Sequence, residues 1–450
     1  MFRHVAVMSS TAAIGLVAVF AVDLVNLLYI SLLGEKAIAA AVGFSGVLGF
    51  FQTSICIGLT IAVAALVSQN IGAGRMREAR RMATSSLVFS AGIALLVAAT
   101  TLLVLHPLLA LLGARGEVER LTAGYLLITV SSLPLLAIGM GCAAILRCVG
   151  DARRAMWVTL GAAFLTAGVD PLLIFGAGWG LNGAAVAAVL ARCMLAGVGL
   201  HGVVRKHRLL ARIRVDALPS DFAALARVAG PAVLSNLATP VGAAFVTRGI
   251  SQFGAAAVAG QATIDRLSPV AFGLVYALSG AIGPILGQNF GGRRFDRVSE
   301  ALRDSIRFMV MAVAVAWAVL ALAQDGIVLV FSLNGQAAAL VRAYCSWLCA
   351  SFFFVGALFV SNAAFNNLGR PLWSTAFNWA RATLGTIPLA WWGARYGPVG
   401  VIAGQAIGSA VFGSLALLVA FRHVRAIAKD REPAAASPSL ATLSTPPAKP

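Results

Sequence analysis

Long apolar runs separated by short polar breaks fill the chain from residue 5 to residue 421. A helix needs about 20 residues to cross the hydrocarbon layer of a bilayer, and these runs reach that length. They are continuous rather than alternating, which argues against a transmembrane barrel. The pattern predicts twelve spans, at roughly 5–33, 37–69, 84–112, 121–146, 155–176, 180–203, 227–250, 255–287, 305–332, 338–366, 372–393 and 398–421. We therefore expect an all-α membrane protein with twelve transmembrane helices.

The composition and the placement of charge agree with this interpretation. Of the 450 residues, 60% are hydrophobic and only 11% are charged. The net charge of +18 comes from arginines and lysines in alternate loops, with 24 on one side of the predicted membrane and six on the other. This bias predicts a multi-pass protein of the inner (plasma) membrane with both termini in the cytoplasm. The basic residues then contact membrane lipids, and no nucleic-acid partner is expected.

The sequence contains an internal repeat. The phrase LVSQNIGAGR at 66–75 returns as LGQNFGGRR at 286–294. Four pairs of positions, each 219 residues apart, carry the match: Gln69 and Gln288, Asn70 and Asn289, Gly72 and Gly291, and Gly150 and Gly369. Six spans per copy is an even number, so we expect two parallel six-helix lobes related by a pseudo-two-fold axis along the membrane normal.

Composition shifts divide the chain into four parts. We assign residues 1–204 to an N-lobe and residues 225–425 to a C-lobe. The basic, turn-forming segment 205–224 between them is predicted to be a cytoplasmic interlobe linker. Residues 426–450, rich in Pro, Ala and Ser, are predicted to be a disordered cytoplasmic tail.

The repeated phrase is interpreted as a turn at the inner membrane interface. Gly72 and Gly74, and Gly291 and Gly292 in the second copy, are expected to supply positive φ angles for a tight turn. A nucleotide-binding loop is the rival interpretation, but neither copy has the Gly-Lys-Ser/Thr ending that such a loop needs. Any transport is therefore expected to be driven by an ion gradient rather than by ATP.

Several motifs, taken together, resemble the multidrug and toxic compound extrusion (MATE) transporters. They are the two Gln-Asn-x-Gly turns, VDPLLIFGAGWGLNGAA at 169–185, AAAVGFSG at 39–46 and NNLGRPLWSTAFN at 366–378. The resemblance covers residues 5–421. It implies two lobes around a central cavity that opens alternately to either face, with export of organic cations or amphipathic compounds in exchange for H⁺ or Na⁺. We expect a monomer with small-molecule substrates and no cofactor besides the coupling ion.

Acidic residues inside spans are costly and are therefore functional candidates. Three qualify: Asp23, Asp170 and Asp265. Asp23 shares a helix face with Asn26. The resemblance places the family's aspartate where this chain has Asn26, so the acid is displaced by three positions, about 4.5 Å along a helix. The alternative role for Asp23 is hydrogen bonding within helix packing.

Asp170 matches the family pattern more closely. Pro171 follows it and frees a backbone carbonyl nearby, and Thr166 lies one turn earlier, where relatives often have asparagine. The alternative is a simple kink near the outer interface. We predict that Asp23, Asp170, Asn26 and Thr166 form an N-lobe site for H⁺ or Na⁺, because the C-lobe has no acid in the corresponding parts of its helices.

A second polar group is predicted at membrane depth in the C-lobe. Its members are Gln261, Asp265, Arg266 and Arg381. Asp265 and Arg266 are adjacent on a helix and do not face each other, so their partners are expected elsewhere, in a structural role. A lipid or lipid-linked oligosaccharide flippase of the same superfamily remains an alternative function. An enzyme is not expected, since the sequence has neither a His/Asp/Glu metal cluster nor a nucleophile motif.

Overall fold

The computed structural model describes residues 1–32 and 35–431. The helices of the first half are α1 (Phe2–Leu32), α2 (Lys36–Gly72), α3 (Met76–Leu103), α4 (Leu105–Leu112), α5 (Gly116–Ser131), α6 (Leu133–Cys148), α7 (Ala152–Pro171) and α8 (Gly180–Leu200). Those of the second half are α9 (Leu218–Ser251), α10 (Ala255–Ala271), α11 (Gly273–Gly291), α12 (Phe295–Val330), α13 (Gly335–Ser346), α14 (Phe352–Asn367), α15 (Pro371–Ala380), α16 (Ile387–Gly393) and α17 (Gly397–Arg431). π-helical turns extend α7, α8 and α15, at Leu172–Gly176, His201–Lys206 and Arg381–Gly385.

These helices make twelve membrane crossings. Within the described residues, nine helical segments are long and apolar enough to cross a membrane, and the bent pairs α5–α6 and α10–α11 raise the number to eleven. One of the nine, residues 371–429, has 59 residues and is too long for a single crossing. It divides at Gly397, giving the twelfth crossing, so the predicted all-α fold with two six-helix lobes is confirmed.

The division at Gly397 is a tight helical hairpin. Gly397 has a φ of +83°, which reverses the chain between α16 and α17. The two helices then pack so closely that a Cβ atom on Gly400 would lie 2.1 Å from the Gly393 carbonyl oxygen, and one on Gly404 would lie 2.2 Å from that of Leu389. Only glycine allows this antiparallel backbone contact.

The two copies of the repeated phrase meet where α2 crosses α11. A Cβ atom on Gly72 would lie 1.9 Å from the Gln288 carbonyl oxygen, and one on Gly291 would lie 2.0 Å from that of Gln69. The side-chain amides follow the same symmetry. Gln69 Nε2 donates to the Asn367 carbonyl oxygen at 2.9 Å, and Gln288 Nε2 donates to the Cys148 carbonyl oxygen. Cys148 and Asn367 are 219 residues apart, as are Gln69 and Gln288, so the two hydrogen bonds are equivalent. The repeat is therefore a pseudo-two-fold lobe interface.

The glycines of the repeat play a different part from the one predicted. Gly72 and Gly291 are still helical, and Gly292 has a φ of −78°, so the prediction of positive φ was wrong for these three. The positive angles are at Gly74, as predicted, with +74°, and at Arg293, its counterpart, with +55°. Gly72 and Gly291 are needed because the lobes touch backbone to backbone there.

One end of the molecule, which we call the motif end, holds the turns 73–75, 149–151, 207–214, 292–294 and 368–370. Among the described residues, every side-chain hydrogen bond between the lobes lies at this end. The N-terminal amino group also pairs there with Glu300 of α12 at 3.1 Å. The start of α9 is fixed to α3 through Asp221, which accepts from Ser85 Oγ at 2.8 Å and pairs with Arg81 at 3.2 Å. The side-chain hydrogen bonds that join the lobes thus lie at the motif end, whereas further along the helices Gly58 of α2 packs directly on Val233 of α9.

Two predicted boundaries differ from the structure. The linker was predicted at 205–224, but the π-helical turn continues to Lys206 and a 3-10 turn begins at Val215, which leaves 207–214 without helix. The shortening follows from Pro219, which favours a helix start. The tail was predicted to begin at 426, but α17 continues to Arg431. The remainder of the predicted tail, 432–450, lies outside the described residues.

Candidate functional site

Close packing of α1 on α7 sets the level of the predicted N-lobe acids. A Cβ atom on Gly15 would lie 2.1 Å from Thr159 Oγ1, so the two helices touch at this point. Both helices start at the motif end and run parallel. From this contact Asp23 lies about 12 Å further along α1, and Thr166 and Asp170 lie about 10.5 and 16.5 Å further along α7. Asp23 is therefore level with the segment between Thr166 and Asp170.

Asp23 lies on the wall of a cavity between the lobes. The cavity has a volume of about 290 Å³. Its wall includes Phe20, Asp23 and Asn26 of α1, Tyr125 of α5, and Arg266 and Pro269 of α10. Asp23 is exposed there. The structure thus places an N-lobe acid and an amide in a space that a C-lobe arginine also faces.

Asp170 is the most isolated acid in the N-lobe. It is 1% exposed, and neither carboxylate oxygen has a hydrogen-bond partner among the described residues. It lies within electrostatic range of Asp23, and Tyr125 is within range of both acids. A buried carboxylate without a partner is costly, so it needs either a proton or a bound cation. Its burial also disfavours a simple kink at the outer interface.

The other two predicted site residues lie on the same two helices. Asn26 Oδ1 is buried without a partner in the described part of the chain. Thr166 Oγ1 donates to the carbonyl oxygen of Ala162 at 3.0 Å, which leaves its lone pairs available. Directly after Pro171 the backbone widens into a π-helical turn, a deviation that is frequent at functional sites. The N-lobe therefore has four oxygen-bearing side chains and a distorted backbone at one level.

The sequence interpretation missed Arg192 and the role of Tyr125. Arg192 of α8 donates to the Thr129 carbonyl oxygen and, at 2.9 Å, to Ser132 Oγ. It also lies within electrostatic range of Tyr125. Both acceptors lie at the bend between α5 and α6. Arg192 meets them only through the packing of α8 on this bend, which the sequence does not show. The available signal was that Arg192 is the one charged residue in the predicted span 180–203.

The predicted C-lobe polar group is divided in the structure. Gln261 Nε2 donates to Asp265 at 2.8 Å, while Arg266 faces the cavity. Arg381 is 9% exposed, and its Nε has no partner. Across residues 1–32 and 35–431, neither these arginines nor Asp265 forms an ion pair.

The C-lobe has no counterpart of the N-lobe acids. The repeat length places Gly242 at the position that corresponds to Asp23. A Cβ atom on Gly242 would lie 3.5 Å from the Cα atom of Ala382, so this position is packed against α15 and its π-helical extension. Aligning Pro171 with Pro388 places Ile387 where Asp170 stands. The corresponding position is therefore apolar and closed, which favours a single cation site in the N-lobe. No group of three or more His, Cys, Asp or Glu side chains in the described residues could hold a metal ion.

Comparisons with known proteins agree with this architecture. The family model described as MatE matches residues 12–172 and 231–392, the two repeats. The chain is 28% identical to a protein named FAD transporter from Shewanella oneidensis, over 85% of this chain and 86% of that protein. It is 22% identical to the multidrug export protein MepA from Staphylococcus haemolyticus, over 88% of each. A mutant of the Vibrio cholerae MATE transporter VcmN superposes with a TM-score of 0.89 at 24% identity, over 94% of this chain and 97% of that one. The chain is a multi-pass membrane transporter of the multidrug and toxic compound extrusion (MATE) family.

Proposed function

We propose that the protein is a secondary active multidrug exporter. It exchanges H⁺ or Na⁺ for organic cations or amphipathic compounds by alternating access of the cavity between the lobes. The name of the Staphylococcus haemolyticus relative supports export of drugs. The placement of basic residues supports an inner-membrane protein whose motif end faces the cytoplasm.

The unpartnered carboxyl group of Asp170 carries the proposal. Both of its oxygens are buried without a hydrogen-bond partner in the described structure, which favours binding of a proton or a sodium ion, and Asp23 faces the cavity. When the cation binds, the negative charge on this side of the cavity falls and a cationic substrate loses its attraction. When the cation leaves, the acids can attract the next substrate. The competition for one charged site couples the two fluxes.

The lobe contacts support the alternation. The lobes meet through Gly72 and Gly291 at the motif end, so the present arrangement is closed there. Transport requires this contact to open while the opposite ends of the lobes approach each other. The backbone contact at Gly72 and Gly291 and its two amide hydrogen bonds would have to break for this end to open.

A second substrate class is supported by a different observation. The Shewanella oneidensis relative is named FAD transporter, and a dinucleotide carries phosphate groups rather than a net positive charge. Arg266 lines the cavity and has no ion-pair partner among the described residues. A cavity with such a cation can also accept compounds that carry an anionic group.

The proposal is tested with purified protein in liposomes that contain ethidium. An H⁺ gradient and a Na⁺ gradient are imposed separately, and efflux is followed by fluorescence. Asp23→Asn and Asp170→Asn should each reduce gradient-driven efflux at least about tenfold, because the amide neither binds a proton nor carries charge in this pH range. The gradient that drives the unmodified protein identifies the coupling ion.

Asp325→Asn is the matched control. Asp325 is exposed and pairs with Arg342 at 2.8 Å, away from the cavity, so the same chemical change there should leave efflux unaltered. Wild-type efflux by both Asp23→Asn and Asp170→Asn would refute the cation site. Rapid scrambling of labelled lipid without gradient-driven efflux would instead favour a flippase.

A further inference from the structure

We propose that an apolar groove on the membrane-facing side of the C-lobe binds one phospholipid, with an acyl chain in the groove and the headgroup phosphate on Arg395. The groove lies at the end of the molecule opposite the motif end, which we call the far end. There α16 and α17 form the hairpin at Gly397. The groove shares no residue with the wall of the cavity between the lobes, so the inference does not depend on the coupling cation or on the exported compound.

Missing side chains on α17 create the groove, which has a volume of about 250 Å³. Gly400, Ala403 and Gly404 form its floor, and Trp347 and Trp392 stand on its walls. Gly400 and Gly404 pack directly on the backbone of α16, so no larger residue fits at either position. None of the residues that line the groove is charged. Such a surface suits a hydrocarbon chain.

The groove is on the side of α17 that faces away from the C-lobe core. Ile402, Ser409 and Ala416 are buried and, at a spacing of seven residues, define the packed face of this helix. At 3.6 residues per turn, Gly400 and Ile407 lie on the opposite face.

This outer face of α17 is surrounded by lipid. It continues beyond the groove as Ile407, Val411 and Leu418, which are all exposed and apolar. Val411 and Leu418 belong to the motif-end half of α17, the half of the molecule in which the lobes are closed on each other. An exposed apolar helix face at that depth of a membrane protein contacts hydrocarbon.

The dimensions of the groove fit one leaflet of the membrane. Its α17 residues run from Val399 to Ile407, about 12 Å of helix, and one leaflet contains about 15 Å of hydrocarbon. Exposed Trp and Tyr side chains gather where hydrocarbon meets headgroups, and Trp347, Trp392 and Tyr396 of the groove are all exposed. A chain in the groove would begin at headgroup level and run towards the membrane centre.

Arg395 adds a positive charge at headgroup level. It lies in the 3-10 turn Ala394–Tyr396, next to the groove residue Tyr396. Its guanidinium group is 5.5 Å from the ring centroid of Trp391, and it forms no ion pair in the part of the chain that the structure describes. A guanidinium group stacked on a ring keeps its planar fork of donors free for phosphate oxygens. The charge and the groove together match a phosphate group joined to long hydrocarbon chains, which is a phospholipid.

Brominated lipids test the proposal by quenching tryptophan fluorescence, because Trp347 and Trp392 line the groove. The full-length protein in detergent micelles is titrated with a phosphatidylglycerol that carries bromine on its acyl chains. A second titration uses the diacylglycerol that has the same chains but no phosphate. The phosphatidylglycerol should give saturable quenching at a mole fraction at least about tenfold lower, as expected for charge-assisted hydrogen bonds. Arg395→Gln should remove this difference.

Ala403→Leu tests the groove itself. The larger side chain would fill the floor and raise the half-saturating mole fraction of the phosphatidylglycerol at least about tenfold. Ala410→Leu is the matched control, since Ala410 lies two turns further on the same face of α17 and does not line the groove. Arg342→Gln is the control for Arg395→Gln, since it removes an exposed arginine that pairs with Asp325. Both controls should quench like the unmodified protein.

Equal half-saturation by the two lipids, or an unchanged difference in Arg395→Gln, would overturn the proposal. Unaltered quenching in Ala403→Leu would also overturn it, because the groove would then not be the site. If Ala403→Leu does not fold, the comparison of Arg395→Gln with Arg342→Gln decides, since both arginines are exposed. A dimer that becomes a monomer in Ala403→Leu while lipid quenching is unaltered would assign the groove to a second copy of the chain and refute the lipid site.

Discussion

The contact between the repeated turns provides the sharpest test of how the lobes are held together. In Gly72→Ala the new Cβ atom would lie 1.9 Å from the Gln288 carbonyl oxygen. An ordinary carbon to oxygen contact is about 3.3–3.6 Å, so the two backbones must separate by about 1.5 Å. In Gly291→Ala the new Cβ atom would lie 2.0 Å from the Gln69 carbonyl oxygen, so this variant requires a similar separation of the two backbones. Both carbonyl oxygens belong to the backbone, so neither can move aside by a side-chain rotation.

The separation should weaken the closed motif end. Overpacking typically costs about 1–3 kcal/mol, and a loss of 2 kcal/mol makes local opening about 30-fold more frequent. Hydrogen–deuterium exchange with mass spectrometry measures this in the peptides that contain turns 73–75 and 292–294, whose amides should exchange about 30-fold faster. Because both substitutions act on one contact, the double variant should exchange more slowly than the sum of the single effects predicts.

Gly280→Ala is the matched control for these variants. It lies on α11 like Gly291, but a Cβ atom there would have no neighbour within 4 Å. In Gly280→Ala, the amides of turns 73–75 and 292–294 should exchange at the wild-type rate. The reasoning would be refuted if Gly72→Ala and Gly280→Ala gave the same exchange rates, because the lobe contact would then contribute nothing to closure.

Two further variants test the motif end and the helical hairpin. Burial raises the pKa of Asp151, but hydrogen bonds from His207 and Arg154 outweigh this and hold the pKa below its ordinary value. Asp151→Asn should therefore lower the melting temperature at pH 7. The difference in melting temperature between the variant and the wild type should disappear as the pH falls below about 4 towards the lowered pKa of Asp151. A difference that stays constant across this pH range would contradict the reasoning. Gly404→Ala should lower the melting temperature by several degrees, because its Cβ atom would lie 2.2 Å from the Leu389 carbonyl oxygen. Gly326→Ala is the control and should not lower it, since a Cβ atom there has no neighbour within 4 Å. Equal melting temperatures for the two variants would contradict the hairpin contact.

The sequence was sufficient for the architecture because hydrophobic length and chain duplication act over whole helices. Each predicted span contains enough apolar residues to cross a bilayer, and the offset between Gln69 and Gln288 defines the repeat. The hairpin at Gly397 shows the same principle, since the polar break before it was visible as RYGPVG at 395–400. Such signals do not depend on which side chains meet in space.

The sequence was insufficient wherever the outcome depends on tertiary contact. Glycine in a turn-like phrase indicates either a positive φ or a close approach, and only the structure shows that Gly72 serves the second purpose. Arg192 was invisible as a cluster member because its acceptors lie in other helices. That Asp265 and Arg266 face different surroundings followed from their adjacent helix positions, but the partner of Asp265, Gln261, and the cavity that Arg266 faces are visible only in the structure.

The two lobes combine a symmetric frame with asymmetric charge. The amides of Gln69 and Gln288 obey the repeat, so the interface that must open and close is shared equally. The buried acid does not obey it, since Asp170 of the N-lobe has no partner among the described residues and Ile387 stands at the corresponding position of the C-lobe. In the proposed exporter, a cation on Asp170 would neutralise a charge in the N-lobe alone. Because Asp170 interacts electrostatically with Asp23 on the cavity wall, binding of the cation would change the electrostatic cost of bringing the lobes together, and this would link cation binding to their movement.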